Sequence, residues 1–410
     1  MNILIIHEVD YLTKVVFDIH LLAEGLSLRG HRVWVIDYEN TWRRGSLADL
    51  GRLKTREVNA EPRAFPKAAV SMRRPGFIKI PGLSRLSAAA THYQEIKRTI
   101  KEKNIQAIVL YSVPTNGLAA ISLACKNNIP VVFRSIDILN RLVPYPALRP
   151  MTRFLEKKVY AGADMILTLT PKLSEYVNSL GADPERVKLL PMPVDTDLFH
   201  PSTDTGGLRQ RWGLGQKAPV IVFIGTLFDF SGLDALINQF PQLLKEIPEA
   251  KLLIVGDGPQ RPGLEKIIAE LCLAKQVIIT GFQPYATMPQ YINLAALCIN
   301  SFLITDATRD IFPGKIVQYL ACGKAVVATP LPGMMAVTAG EEQGVIYAGD
   351  AGEMVKEVIS LLKSPQRQRK LGQAGLSYVT GVHQRDKIVY QLEARLEEAV
   401  KEKQSERVSK

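Results

Sequence analysis

Long apolar runs are absent from these 410 residues; no stretch approaches the ~20 residues that a membrane-spanning helix requires. Cysteine is scarce as well. The four cysteines, at positions 125, 272, 298 and 322, form no C-x-x-C pair and have no neighbouring histidine, which excludes a zinc framework and a disulfide scaffold. Buried, reduced thiols are expected, and no metal site. No solenoid repeat is visible, nor any helix-turn-helix signal or aromatic interleaving of the kind RNA modules use, so nucleic acid is not an expected partner. The opening Met1-Asn2-Ile3-Leu4-Ile5-Ile6 enters a strand without a basic region or cleavage site, which points to the cytosol.

Hydrophobic residues at 47% and charged residues at 22% describe a globular protein, and the length accommodates two domains of about 200 residues. Short apolar runs alternate with helical stretches throughout. In the first half they are Ile3–Ile6, Val33–Asp37, Ile108–Tyr111, Val131–Arg134, Met165–Leu169 and Val187–Leu190. In the second they are Val220–Ile224, Leu252–Val255, Val277–Thr280, Leu297–Asn300, Ala325–Ala328 and Val345–Tyr347. Such alternation predicts an α/β fold of two tandem Rossmann-like, doubly wound domains. The join falls in P-M-P-V-D-T-D-L-F-H-P, residues 191–201, where three prolines disfavour helix and strand. The expected domains are 1–195 and 196–383, facing a cleft, with a terminal helix over 384–410.

The formal charge of +11 is unevenly placed, because residues 41–103 hold 15 Lys and Arg against 5 Asp and Glu. Phe65, Met72, Phe77, Ile78, Ile80, Leu83 and Leu86 are threaded through them, a mixture suited to an anionic membrane surface or to a solvated loop. Pro62, Pro66, Pro75 and Pro81 argue against one continuous amphipathic helix there.

The most informative stretch is D-I-F-P-G-K-I-V-Q-Y-L-A-C-G-K-A-V-V-A-T, residues 310–329. Pro313 suits a first helical turn, and Gly314 with Lys315 leaves free backbone donors beside a cation. A helix from Ile316 to Ala321 then stops at Gly323 and feeds a buried strand, which makes one phosphate-receiving unit. G-D-G-P at 256–259 supplies a second close approach of backbone to ligand.

These motifs resemble the nucleotide-sugar site of GT-B glycosyltransferases, particularly the retaining family four. That family carries Glu, seven residues and Glu, then G-x-P-V-V-A; here Asp310 and Gln318 hold the same frame. It also has G-D-G-P, followed by an element like Gly281-Phe282-Gln283 that holds the base. Its linker, N-G-V-D with F and P, is matched by Asp195, Phe199 and Pro201, with Met192-Pro193 in place of Asn-Gly. The resemblance implies a metal-independent transferase moving a sugar from a nucleotide diphosphate to a glycan or glycolipid acceptor, with no cofactor beyond the donor. No D-x-D pair stands in a suitable loop, which agrees with metal independence. It implies, too, that the last helix crosses back onto the first domain, and a setting in cell-envelope polysaccharide synthesis, peripheral to the inner face of the cytoplasmic membrane.

On that resemblance, the donor-side residues are Gly225, Thr226, Ser231, Gly256, Asp257, Gly258, Phe282, Phe312, Pro313, Gly314 and Gln318, with Asp310 on a sugar hydroxyl. The family's Arg and Lys, which point at the diphosphate, are replaced by Thr226 and Ser231, so another cation must stand in. Lys315 is the first candidate, ahead of Arg309. The family's glycine-rich loop is replaced by His7–Lys14, where Lys14 or Thr13 can reach the donor and His7 and Asp10 the acceptor. Asp137, just past a strand end, either accepts a proton from an acceptor hydroxyl or caps the next segment. The missing cations leave one alternative, a non-catalytic scaffold or regulatory subunit that binds a nucleotide sugar or a partner protein.

Overall fold

The computed structural model describes residues 1–39, 49–80, 83–143 and 145–408. Two compact units emerge, one built from Met1–Pro191 with Arg385–Lys410 and the other from Met192–Gln384. The boundary lies at 191/192 rather than 195/196 because the proline-rich segment is packed, not free: Val194 and Phe199 are buried, and Val194 N–H donates to the His383 carbonyl.

The first unit carries β1 (Asn2–Ile6), β2 (Arg32–Ile36), β3 (Arg56–Ala60), β4 (Val70–Arg74), β5 (Ala107–Leu110), β6 (Val131–Ser135), β7 (Met165–Thr168) and β8 (Val187–Leu189). They form one sheet in the order β3-β4-β2-β1-β5-β6-β7-β8, parallel except where β3 meets β4. Side chains alternate across it. Ile3 and Ile5 enter one core layer, while Leu4 and Ile6 enter the other, which is why both faces need apolar residues and the strands read as unbroken runs. The first layer is completed by the helix Arg385–Val408 through Ile388, Leu392 and Leu396. Opposite, the helix Leu83–Glu102 contributes Ile96 and Ile100, and the helix Arg149–Gly162 contributes Val159 and Tyr160.

Strands β3 and β4 lie inside the basic segment, which is therefore not a uniform charged surface. Arg74 is buried and donates to Asp37 Oδ1 at 2.9 Å and to Asp10 Oδ1 at 2.8 Å, while Arg73 pairs with Glu95 at 3.0 Å and Glu102 at 2.7 Å. Phe65, Met72 and Phe77 are buried. Two of the segment's cations are thus neutralised inside the fold, while Lys54, Arg56 and Lys67 are exposed; residues 41–48, 81 and 82 of it lie outside the described residues.

One ion pair holds the strand ends together. Asp18 and Arg134 are fully buried 2.8 Å apart, Tyr111 donates to Asp18 Oδ1 at 2.7 Å, and Arg134 Nη1 donates to the Leu190 carbonyl at 2.6 Å. Replacing Asp18 by Ala leaves a buried guanidinium without its counter-charge, and urea unfolding is expected to show a loss of about 3–5 kcal/mol.

The second unit carries β9 (Val220–Ile224), β10 (Lys251–Val255), β11 (Val277–Ile279), β12 (Leu297–Asn300), β13 (Val326–Ala328) and β14 (Val345–Tyr347), ordered β11-β10-β9-β12-β13-β14 and all parallel. The chain winds outward from β9 to one edge and then returns to β12. Strand order thus reverses between β9 and β12, where open α/β sheets bind their ligands, and the same reversal occurs between β1 and β5 in the first unit.

Candidate functional site

At the β9/β12 reversal, the chain leaves β9 through Gly225 and leaves β12 through Ser301 and Phe302. Gly225 N–H donates to the Val255 carbonyl at 3.0 Å, which ties the ends of β9 and β10 together. Gly256 lies against this turn with φ +154°, and a Cβ there would overlap the Gly225 carbonyl oxygen. Only glycine fits, and the two strand ends are left without side chains. Gly258 packs as closely on Leu227, and Gly256 forms a bridge with Gly281. The three elements singled out from sequence, 225–231, 256–259 and 281–283, are therefore one cluster.

Lys315 enters that cluster from below. It opens the helix Lys315–Ala321, and its Nζ lies 3.8 Å from the centre of the Phe223 ring and 4.1 Å from that of Phe302, one aromatic from each strand at the reversal. A Cβ on residue 225 would sit 2.9 Å from this Nζ. The ammonium is buried and has no hydrogen-bond partner. Burial drives its pKa well below the ordinary lysine value, while two ring faces oppose that by attracting the charged form. Among the described residues no carboxylate neutralises it. The sequence places this lysine at the open mouth of the helix; the structure places it between two rings at the strand reversal, because its long stem folds back along the apolar face.

One helical turn on, Gln318 shares a face with Lys315, is half-buried, and its side-chain amide bonds to no group among the described residues. Ile316, Val317, Tyr319 and Leu320 are buried, and the Tyr319 hydroxyl accepts the Ile224 N–H at 2.7 Å, which pins the helix beneath β9. Asp310 keeps a small exposed fraction with Arg309 Nε 3.8 Å away, and its backbone is clamped against Gly333. Thr226 is half-buried and its hydroxyl is unbonded, whereas Phe282 is 63% exposed beside Gly281, a flat apolar surface for a ring. Asp257 accepts the Gly258 N–H at 2.8 Å and pairs with Arg261 at 2.8 Å.

Three donor-side residues have other work. Ser231 is fully buried, bonding to Gln260 at 3.0 Å and accepting from Ser301 at 2.7 Å, so it ties loops together rather than facing a ligand. Phe312 is buried and stacked on His383 with ring centres 5.7 Å apart, and Pro313 is buried beside it. Both build the turn that presents Gly314, whose nearest neighbour beyond the turn is the Met192 methyl group.

In the first unit, His7 follows β1 and packs against Phe17 and Tyr111, with Nδ1 buried and unpartnered. Burial, reinforced by His20 and Lys14, lowers its pKa to about 3, so it is neutral at physiological pH. Asp10 accepts the N–H groups of Leu12 at 3.0 Å and Thr13 at 3.1 Å in addition to Arg74. It is spent on the turn and does not face an acceptor. Lys14 is exposed. Asp137 makes no cap, since the following turn at Leu139–Leu142 takes no side-chain hydrogen bond. Its carboxyl is recessed, and desolvation with Asp18 nearby raises its pKa to about 6, partly offset by Lys14.

Two groups escape sequence reading. Asn300, fully buried at the end of β12, has both side-chain polar atoms unpartnered, and its only local signal is an amide closing the apolar run L-C-I-N. Arg261 places a guanidinium against Gly281; nothing in a helix-start arginine announces that.

Residues 218–364 match the profile of the glycosyl transferases group 1 family, and residues 16–193 match the glycosyl transferase 4-like domain. The chain is a member of the group 1 glycosyl transferases. This group 1 chain is 29% identical over 234 residues to a GDP-mannose-dependent alpha-(1-6)-phosphatidylinositol monomannoside mannosyltransferase of Mycolicibacterium smegmatis, covering 56% of this chain and 61% of that one. It is 26% identical over 236 residues to a D-inositol 3-phosphate glycosyltransferase of Segniliparus rotundus, covering 56% and 51%. The matches thus span between half and two thirds of those relatives. Among solved structures, sucrose-phosphate synthase from Thermosynechococcus elongatus superposes with a TM-score of 0.77 at 18% identity, covering 97% and 98%. Anabaena HepE in complex with UDP-glucose superposes at 0.73 and 18%, covering 97% and 100%. At such identity the likeness establishes the two-Rossmann GT-B fold.

Proposed function

We propose that this protein transfers a sugar from a nucleoside-diphosphate donor, held at the β9/β12 reversal, to an acceptor hydroxyl, with retention of configuration and without a metal. The observation that carries the reading is the unpartnered Lys315 ammonium between Phe223 and Phe302. A buried cation without a counter-ion is costly, and an arriving diphosphate supplies the missing charge. Side-chain-free Gly225 and Gly256 let phosphate oxygens come close to the backbone, Phe282 offers a face to the base, and Gln318 and Asp310 offer hydrogen bonds to ribose and sugar hydroxyls.

In the reaction the bond from the anomeric carbon to the phosphate oxygen breaks, and both electrons leave on the diphosphate. Lys315 stabilises the charge that accumulates there. The acceptor oxygen forms the new bond on the same face, and its proton passes to the departing diphosphate oxygen. The relatives' names suggest GDP-mannose as donor and an inositol-bearing acceptor; a setting in envelope glycan synthesis at the inner face of the cytoplasmic membrane is part of the same proposal.

The second reading, a nucleotide-sugar-binding scaffold, draws on Ser231, which stands where the family has a cation and is buried in structure. Incubation with GDP-mannose or UDP-glucose, with and without phosphatidylinositol, separates the two. Release of nucleoside diphosphate that depends on acceptor is expected; binding of nucleotide without release would favour the scaffold.

A further inference from the structure

Basic and apolar residues are exposed together on one face of the first unit. Leu142, Tyr145, Leu148, Met151 and Phe154 are all exposed and recur at every third position. The spacing has a structural meaning, because short 3₁₀ turns at Leu139–Leu142 and Pro146–Leu148 lead directly into the helix Arg149–Gly162. From Pro146 onward the 3₁₀ turn runs straight into the α-helix, and Leu148, Met151 and Phe154 follow one another at its exposed side. That helix buries Thr152, Glu156, Val159 and Tyr160 on its inner face, which leaves Met151 at 56% and Phe154 at 57% exposure on the outer one.

Cations surround the ridge. Arg153, Lys157 and Lys158 are exposed on the same outer face, Arg149 is half-buried beside it, and among the described residues none of the four is paired with a carboxylate. The acid of the helix, Glu156, is buried and bonded to Asn140 and Tyr176. Between the helix and Ser179–Leu180 lies an open cleft of about 610 Å³, lined by Arg149, Arg153 and Lys157 together with Phe154.

We infer that this face docks on an anionic phospholipid bilayer, with Met151, Phe154 and their neighbours entering the headgroup boundary and the cations meeting lipid phosphates. Charge complementarity decides the occupant. A protein partner would be expected to meet a polar rim carrying both signs, whereas the exposed charges of this helix, Arg153, Lys157 and Lys158, are all positive. Aliphatic Leu142, Leu148 and Met151 in the ridge suit acyl chains and offer nucleic-acid bases no stacking surface. This surface is distinct from the basic segment 41–103, where Arg73 and Arg74 are consumed in the fold and Lys54 and Arg56 are exposed. The inference goes beyond the transfer reaction, and it is tested without donor or acceptor, so that its failure leaves the catalytic reading standing.

The test is sedimentation of the full chain with vesicles of phosphatidylglycerol and phosphatidylcholine, against phosphatidylcholine alone, at low and high salt. Association with the anionic vesicles alone, weakened by salt, is expected. Reversing two cations in the double variant Arg153→Glu/Lys157→Glu is expected to lower partitioning at least about twentyfold, and Met151→Ser/Phe154→Ser at least about tenfold. Unfolding midpoints of both should match the parent, since the substituted side chains face outward. The pair Lys54→Glu/Arg56→Glu, exposed on the basic segment, should bind as the parent does. Absence of salt-sensitive binding, loss of binding in the Lys54/Arg56 pair alone, or undiminished binding in both helix variants overturns the inference.

Discussion

Replacing Lys315 with methionine is expected to lower turnover by about 10²–10³-fold and, at the same time, to raise the unfolding free energy by about 1–2 kcal/mol. Opposite signs are the diagnostic feature. Methionine preserves the length of the stem and keeps contact with Phe223 and Phe302, while it removes a buried ammonium that no protein group satisfies. Stability should rise by less than full desolvation implies, because two ring faces already compensate part of the charge. If the lysine served the fold, the variant would lose stability; if it served a ligand, it would gain stability and lose function. Urea unfolding and steady-state kinetics on the same preparation decide between them.

Asp137→Asn is expected to raise stability above pH 6 and to leave it unchanged below pH 4. Burial, with Asp18 nearby, raises the parent carboxyl's pKa to about 6. An acid whose pKa is raised by folding favours the folded state while protonated, so the penalty begins as pH rises past the unfolded value near 4 and is complete above about 6. Asparagine has nothing to ionise. The variant should therefore exceed the parent's stability by about 1–3 kcal/mol above pH 6 and match it below pH 4, as thermal scans across that range would show.

Most of the fold was legible because each buried parallel strand announces itself as a short apolar run, and every run named from sequence forms a strand. Strands β3 and β4 were not legible. R-E-V-N-A and V-S-M-R-R read as polar, and they become strands only because Asp10, Asp37, Glu95 and Glu102, distant in sequence, neutralise the arginines. The join at 191–201 carries neither helix nor strand, as its prolines require, and its packing was not legible because only the fold shows Val194 and Phe199 buried.

The site was legible where it depends on glycine. Gly256 and Gly258 are confined to their positions by close backbone contacts and Gly225 by its positive φ beside the Lys315 side chain, and those requirements leave a mark in the motif. Side chains were harder to place. Asp10 and Ser231 have residue types suited to ligands yet are absorbed by turns, a distinction set by neighbours that no local window contains. Asn300 was missed for the converse reason, since only the fold shows that its amide is sealed from water without a partner.

The central claim concerns one pair of atoms. A crystal structure of the protein with UDP or GDP bound should place a diphosphate oxygen about 2.8 Å from Lys315 Nζ, over Gly225 at the end of β9. A nucleotide whose phosphates lie elsewhere, with that ammonium still enclosed by the two phenylalanine rings, would contradict it.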